Sequence, residues 1–458
     1  MTSYYQFPSN FAWGVATAAY QIEGAVNEGG RKPSVWDTFS ARPGAVLNGD
    51  TGAIACNHYH LYEEDVRLMA QLGVRNYRFS IAWSRIVPDG RGQVNEAGID
   101  FYRRLVDTLL KYGITPHATL FHWDSPQALE DRYGSWQSRE MAYDFADYVT
   151  AVVKRLGDRV THWMTLNEII CFTHLGYSHT GTPPHAPGTT VKTNKEVWQT
   201  SHHALLAHGL GCQAIRAATR RPCTVALVDN PAIPVPISET PANIDAAFKA
   251  LYRLGTNGGI LIPALTGAYT PQLLTDLGAD APEIRDGDLN IIHQPLDAFG
   301  LNIYTGSYVR ASDSDRGYEE LHLSDHYPRL NMPWLWMLPD ALYWGVRHLT
   351  EALGQPNLPI FITENGCAAW DTVNAHGEVV DTERILYLRN YLRAAHRAIQ
   401  EGYPLRGYFL WSLLDNFEWA WGYDRRFGLT YVDYDTQERI PKASFNWYAE
   451  CIKQNRVV

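Results

Sequence analysis

Eight short apolar or β-branched runs, the segments of helical period between them, and the lack of any linker predict one α/β domain, a single (β/α)8 TIM barrel with long βα loops. The runs cover residues 11–15, 74–80, 114–121, 160–166, 223–228, 296–302, 358–363 and 404–412, and eight is the strand number that closes a parallel barrel. Helices fill the intervals. Residues 59–72 set Leu61, Val66, Leu68 and Met69 on one side and stop at Gly73, residues 96–112 stop at Gly113, and residues 383–400 run to near Gly402. Length alone would allow two or three domains, but no Pro/Gly/Ser-rich linker, repeat or low-complexity stretch divides the chain, so residues 1–458 are expected to form one catalytic barrel domain. The surplus length lies in connections 180–193, 229–244 and 305–339, where a barrel would build the walls of a site. An open doubly wound sheet is the alternative, but neither G-x-G-x-x-G nor G-x-x-x-x-G-K follows an early strand.

The formal charge of −10 is dispersed and gives no footprint for phosphate backbones or anionic membranes, so no nucleic acid and no membrane is expected as a partner. No apolar run approaches 18 residues, and residues 1–10 lack the basic and apolar regions of a signal peptide, which makes a soluble, cytoplasmic protein the expectation. Six scattered cysteines form no C-x-x-C pair and read as reduced thiols. No cofactor and no metal is expected either: H-E-x-x-H is absent, His58 and His60 lie two apart on different helix faces, and adjacent His202 and His203 cannot point one way. The 15 Trp and 27 Tyr suit either an aromatic-rich core or the apolar faces of sugar rings.

In a parallel barrel the reacting groups come from the carboxyl ends of the strands, so those positions form a set. Here they are polar and aromatic: Arg78 at the second, His122 and Trp123 at the third, Asn167 and Glu168 at the fourth, Asn302 and Tyr304 at the sixth, Glu364 at the seventh and Trp411 at the eighth. Each alone has a structural reading, such as a turn glutamate or a packed tryptophan. Together they supply an acid, a nucleophile, tuning groups, hydroxyl partners and a stacking surface, which is what glycoside hydrolysis requires. One carboxyl must be protonated for the leaving group and the other ionised for attack, so their surroundings must drive the pKa values apart. Arg78 and Tyr304 beside Glu364 would hold it ionised, and that charge would help Glu168 keep its proton. A separation of about 5 Å would give retention, and one of about 6.5–9.5 Å inversion.

Residues 11–24 (FAWGVATAAYQIEG), 77–85 (YRFSIAWSR), 121–124 (FHWD), 165–168 (TLNE), 362–366 (ITENG) and 416–419 (NFEW), with RFG at 426–428 and YVD at 431–433, follow one another in a known order. This pattern resembles glycoside hydrolase family 1, the β-glucosidase family, over nearly the whole chain. The resemblance implies a retaining exo-β-glycosidase that releases terminal β-D-glucosyl residues from small-molecule β-glucosides through a covalent intermediate, with side activity on β-galactosides and β-fucosides. It assigns Glu168 as acid/base and Glu364 as nucleophile, with Arg78, Asn302 and Tyr304 orienting and tuning the latter. Gln21, His122, Trp123 and Asn167 match hydroxyl-binding positions. Glu418 and Trp419 match the pair that reads the outer hydroxyls, Trp411 the stacking platform, and Trp334 the leaving-group side.

Two alternatives share the fold. A 6-phospho-β-glycosidase is disfavoured by Glu418, whose charge would repel a phosphate, and a non-catalytic sugar-binding protein is disfavoured by the presence of both glutamates. The chain departs from the family where Ile169 and Ile170 follow Glu168 in place of the usual proline and frequent aromatic, which is expected to reshape the entrance. Asn57 replaces a common Asp, and Trp421 occupies a variable place near the glycone pocket.

Overall fold

The computed structural model describes residues 4–178, 184–189 and 191–458. Eight parallel strands close on one another: β1 (Ala12–Ala16), β2 (Asn76–Ser80), β3 (Thr115–Phe121), β4 (His162–Asn167), β5 (Thr224–Asp229), β6 (Ala298–Asn302), β7 (Ile360–Asn365) and β8 (Leu405–Trp411). Each strand pairs with its sequence neighbours, and β1 completes the ring by pairing with both β2 and β8. All eight runs read from the sequence are therefore strands. The apolar residues Val74, Val160, Leu296 and Leu358 precede the ladder, so those strands start two positions later than hydrophobicity suggested.

Main helices between or after the strands are α1 (His58–Leu72), α2 (Glu96–Lys111), α3 (Glu140–Leu156), α4 (Asn194–Ala218), α5 (Pro241–Arg253), α6 (Asp340–Arg347), α7 (Thr382–Gln400) and α8 (Ala443–Gln454). Helix α1 buries Asp65, Val66, Met69 and Leu72, whereas Leu61 and Leu68 are only half-buried, so the stripe is rotated from the expected one. The reason is an ion pair: Asp65 faces inward to meet His58 Nδ1 at 2.7 Å and Arg439 Nε at 3.0 Å. Asn57, before α1, has the left-handed φ of 50°, a conformation that asparagine tolerates better than most residues. In α2 the buried Ile99, Tyr102, Val106 and Leu109 recur every three or four residues. Helix α4 opens on a capping box, in which Glu196 N–H donates to Thr193 Oγ1 and Thr193 N–H to Glu196 Oε2. No helix among the described residues is long and apolar enough to cross a membrane.

Two of the three long connections are structured. Strand Pro234–Pro236 from the second pairs with Ser307–Ala311, which pairs in turn with Tyr318–Leu321, and this three-stranded sheet lies outside the barrel. These are the segments read from the sequence as irregular loops; their strands are too short to show a period of two. In the connection 180–193, residues 180–183 and 190 lie outside the described residues.

Register sets the site. Ala16 on β1 lies opposite both Arg78 and Trp411, while Glu364 on β7 pairs with Asn302 on β6, so these side chains reach one end of the barrel at similar height. A Cβ added at Gly366 would lie 1.8 Å from the Trp411 carbonyl oxygen, so glycine is what lets the end of β7 approach the end of β8.

Candidate active site

The carboxyl ends of the strands surround a cavity of about 330 Å3. Glu168, Glu364 and Tyr304 line it together with the aromatic His122, Trp123, Trp411 and Trp419, and with Glu418, Trp421 and Trp334. Arg78, Asn167 and Asn302 stand behind this lining and are buried. These residues stand together at one end of the barrel, while Gln21, just after β1, lies outside the lining and bonds Asn416 and the Phe417 carbonyl.

One chain of hydrogen bonds orders the centre. Arg78 donates from Nη1 to Glu364 Oε1 at 2.5 Å, from Nη2 to Asn167 Oδ1 at 2.5 Å, and from Nε to Thr119 Oγ1 at 3.1 Å. Tyr304 Oη donates to Glu364 Oε2 at 2.8 Å, so each carboxyl oxygen of Glu364 has a donor. Asn302 Nδ2 donates to Glu168 Oε1 at 2.7 Å and to Asn167 Oδ1 at 3.1 Å, and Thr363 Oγ1 fixes that amide by donating to Asn302 Oδ1 at 2.7 Å. The two glutamates are therefore tied to one scaffold through Arg78, Asn167 and Asn302.

Burial pushes both carboxyls up, but the neighbours differ. Glu168 reaches about 8, raised first by desolvation and then by the negative charge of Glu364. Glu364 is also raised by desolvation, against which the Arg78 guanidinium and the Tyr304 hydroxyl act. The expectation that Arg78 and Tyr304 hold Glu364 ionised is thus narrowed: burial wins overall, and the two donors make Glu364 the one that ionises ahead of Glu168. Glu418 is pushed up to about 8 by burial and by the charges of Glu364 and Glu168. His122 lies well below its ordinary value because it is buried and faces Arg78, so its ring is neutral.

Several polar atoms await a partner. Gln21 donates to Asn416 Oδ1 at 3.0 Å and to the Phe417 carbonyl at 2.9 Å, which leaves its Oε1 without a partner among the described residues. His122 Nε2 meets Asn167 Nδ2 at 3.3 Å, while His122 Nδ1, Glu418 Oε2 and Trp421 Nε1 are buried with no protein partner among the described residues. Buried polar groups are normally satisfied, so a hydroxylated ligand is the natural complement. Aromatic packing holds this side: Trp419 lies 4.6 Å from both Trp123 and Trp36, and Trp411 is stacked on His122 at 5.9 Å. Trp123, Glu168 and Trp419 adopt positive φ of 76°, 50° and 49°, a strained conformation that non-glycine residues keep chiefly at functional sites.

Three polar lining residues were not anticipated. Cys171, treated from the sequence as an inert thiol, donates to Glu168 Oε2 at 3.2 Å and receives Asn230 Nδ2 at 3.4 Å. Asn230 follows β5, a strand whose end was not read, and the strand-end rule would have found it. His185 packs on Trp123 at 5.0 Å from a distant loop with no local signal. Ile169 is fully buried and Ile170 packs against the core; neither lines the cavity, so the expected reshaping of the entrance by this pair is not seen. Cys171 and Leu175 stand at that place instead.

A model of the family described as Glycosyl hydrolase family 1 matches residues 3–457. The bifunctional β-D-glucosidase/β-D-fucosidase of Bifidobacterium breve is 45% identical, over 97% of this chain and 98% of its own. The thermostable β-glucosidase B of Thermobispora bispora is 47% identical, over 98% and 91%. Among solved structures, the family 1 β-glucosidase from Thermotoga maritima superposes with a TM-score of 0.88 at 40% identity, covering all of both chains. The chain belongs to glycosyl hydrolase family 1.

Proposed function

We propose that this chain is a retaining, exo-acting β-glucosidase acting as one catalytic domain, with Glu364 as nucleophile and Glu168 as acid/base. The observation that carries the proposal is the asymmetry of the two buried glutamates: one is bonded by a guanidinium and a phenol, the other pairs with no cation among the described residues and is pushed up to about 8. At neutral pH Glu168 holds the proton that a departing alcohol needs, and Glu364 is the carboxylate that attacks the anomeric carbon. Forming the glycosyl ester removes the Glu364 charge. The repulsion that raised Glu168 then vanishes, its pKa falls, and it becomes the base that takes a proton from the incoming water.

Gln21, His122, Trp123 and Asn167 read the hydroxyls of the terminal sugar, Glu418 and Trp419 its outer hydroxyls, and Trp411 its ring face. Trp334, 39% exposed and edge-on to Tyr304 at 5.7 Å, flanks the leaving group. Glucose is the preferred glycone, with fucose and galactose accepted, as the naming of the Bifidobacterium relative suggests. The 6-phosphosugar alternative is disfavoured on a ground other than the charge of Glu418: burial and the neighbouring carboxylates push that group up to about 8, so it is largely protonated at neutral pH and would repel a phosphate only weakly. No Lys or Arg lines the cavity among the described residues, so nothing there would pair a phosphate. All six thiols are free, which fits a reducing compartment, and a cytoplasmic location belongs to the proposal.

Hydrolysis of p-nitrophenyl β-D-glucoside tests the reading. Glu364→Gly is expected to lose turnover by about four orders of magnitude or more, with azide restoring part of it as the α-glucosyl azide. Undiminished turnover would remove Glu364 from the role.

A further inference from the structure

Outside the catalytic cavity lies a second, larger cleft of about 600 Å3, bounded by segment 329–333, residues Ala368 to Trp370 after β7, Glu383 of α7 and Arg425 after β8. Two features join the two spaces. Met332 lines both. Arg425, a wall of the outer cleft, stacks 4.7 Å over Trp421 of the inner cavity and 5.7 Å over Trp370 of the outer one. The ladder Trp421, Arg425, Trp370 therefore runs from the catalytic cavity outward.

Trp370 is 74% exposed, although a tryptophan is costly to leave in water, and no other described tryptophan is as open. Around it the cleft offers complementary polar groups: Asn331 Nδ2 and Arg425 Nε are buried without a protein partner among the described residues, and Glu383 supplies an acceptor. The Asn331 backbone is held in place by its N–H donating to the Ala368 carbonyl at 3.2 Å. An open aromatic face beside unpaired donors and a carboxylate is the chemistry that binds a sugar ring: its C–H face stacks and its hydroxyls fill the polar sites.

Resting on the function proposed above, we propose that this cleft is a distal subsite for the reducing-end sugars of an oligosaccharide chain, with Trp370 as its platform. A chain whose terminal ring sits at Glu168 and Glu364 leaves past Trp334 and Met332, and its outer rings reach Trp370. A disaccharide ends before that point. The subsite makes the enzyme favour longer substrates.

The test is the ratio of kcat/KM for cellotetraose to that for cellobiose, in the wild type and in Trp370→Ala, a surface change that leaves the core untouched. The ratio is expected to exceed one in the wild type and to fall about five- to tenfold in the variant, the worth of one stacking contact. An unchanged ratio, or a change in oligomeric mass with an unchanged ratio, overturns the subsite. Absence of any glucoside turnover by the wild type would instead overturn the catalytic reading. In that case the quenching of tryptophan fluorescence by cellotetraose decides the cleft: loss of quenching in Trp370→Ala supports it, and equal quenching in both proteins refutes it.

Discussion

Two buried groups of acids, one on the loops after β7 and β8 and the other at the strand ends around the cavity, are treated oppositely. In the first, Asp371, Asp381 and Asp415 meet cations on every side. Lys442 Nζ donates to Asp371 at 2.5 Å and to Asp415 at 2.6 Å, Arg384 Nη2 to Asp371 at 2.7 Å, and Arg426 Nη1 to Asp415 at 2.8 Å; Arg384 also pairs with Asp381. Burial pushes Asp371 up, yet Arg384 and Lys442 hold it below its ordinary value. In the second group Glu364 alone meets a cation among the described residues, the Arg78 guanidinium, and Glu168, Glu364 and Glu418 all lie above their ordinary values. Buried charge that is fully paired ties loops together; buried charge left short of cations stores the protonation asymmetry that acid and nucleophile need.

That difference makes opposite predictions for removing one ionisable group from each. Glu168→Gln takes away the proton donor, and kcat/KM for a β-glucoside with a poor leaving group is expected to fall by about 10^3–10^4, while a dinitrophenyl glucoside loses far less in the glycosylation step. Folding stability should hold or rise. Because Glu168 is raised above its unfolded value, the folded state keeps a proton that the unfolded chain has released, so stability falls as pH rises from the ordinary carboxylate range toward 8. The glutamine variant should lose its share of that slope in a series of thermal melts. The next effect is on stability alone: Lys442→Met leaves Asp371 and Asp415 short of a cation, and a loss of about 3–5 kcal/mol is expected in denaturant titration. If Lys442→Met were neutral to folding, the first group would not be held together by its cations and the contrast would fail.

Much of this was legible in the sequence because both signals are local. Each strand is a short apolar run, and each functional position directly follows one, so Arg78, His122, Glu168, Asn302, Glu364 and Trp411 could be read as a set. Order along the chain could not show the small sheet formed by Pro234–Pro236, Ser307–Ala311 and Tyr318–Leu321, since its pairings span distant segments. Long-range contacts also hid the outward turn of Leu61 and Leu68 on α1, which follows from the Asp65–Arg439 pair 374 positions apart. Cys171 was missed because a thiol has no fixed role until its neighbours are known. The isoleucines after Glu168 drew attention as a departure from pattern, yet they pack inward and leave the cavity to Cys171 and Leu175.

The central claim is that the two glutamates ionise in a set order, and it can be observed by carbon NMR of protein labelled at the glutamate carboxyl carbon, with Glu168→Gln assigning the resonance. Glu168 is expected to titrate near pH 8, after Glu364, and to shift to lower pH once a slow 2-fluoro glucoside has esterified Glu364. A Glu168 resonance that titrates before Glu364, or that does not move when the ester forms, would contradict the account.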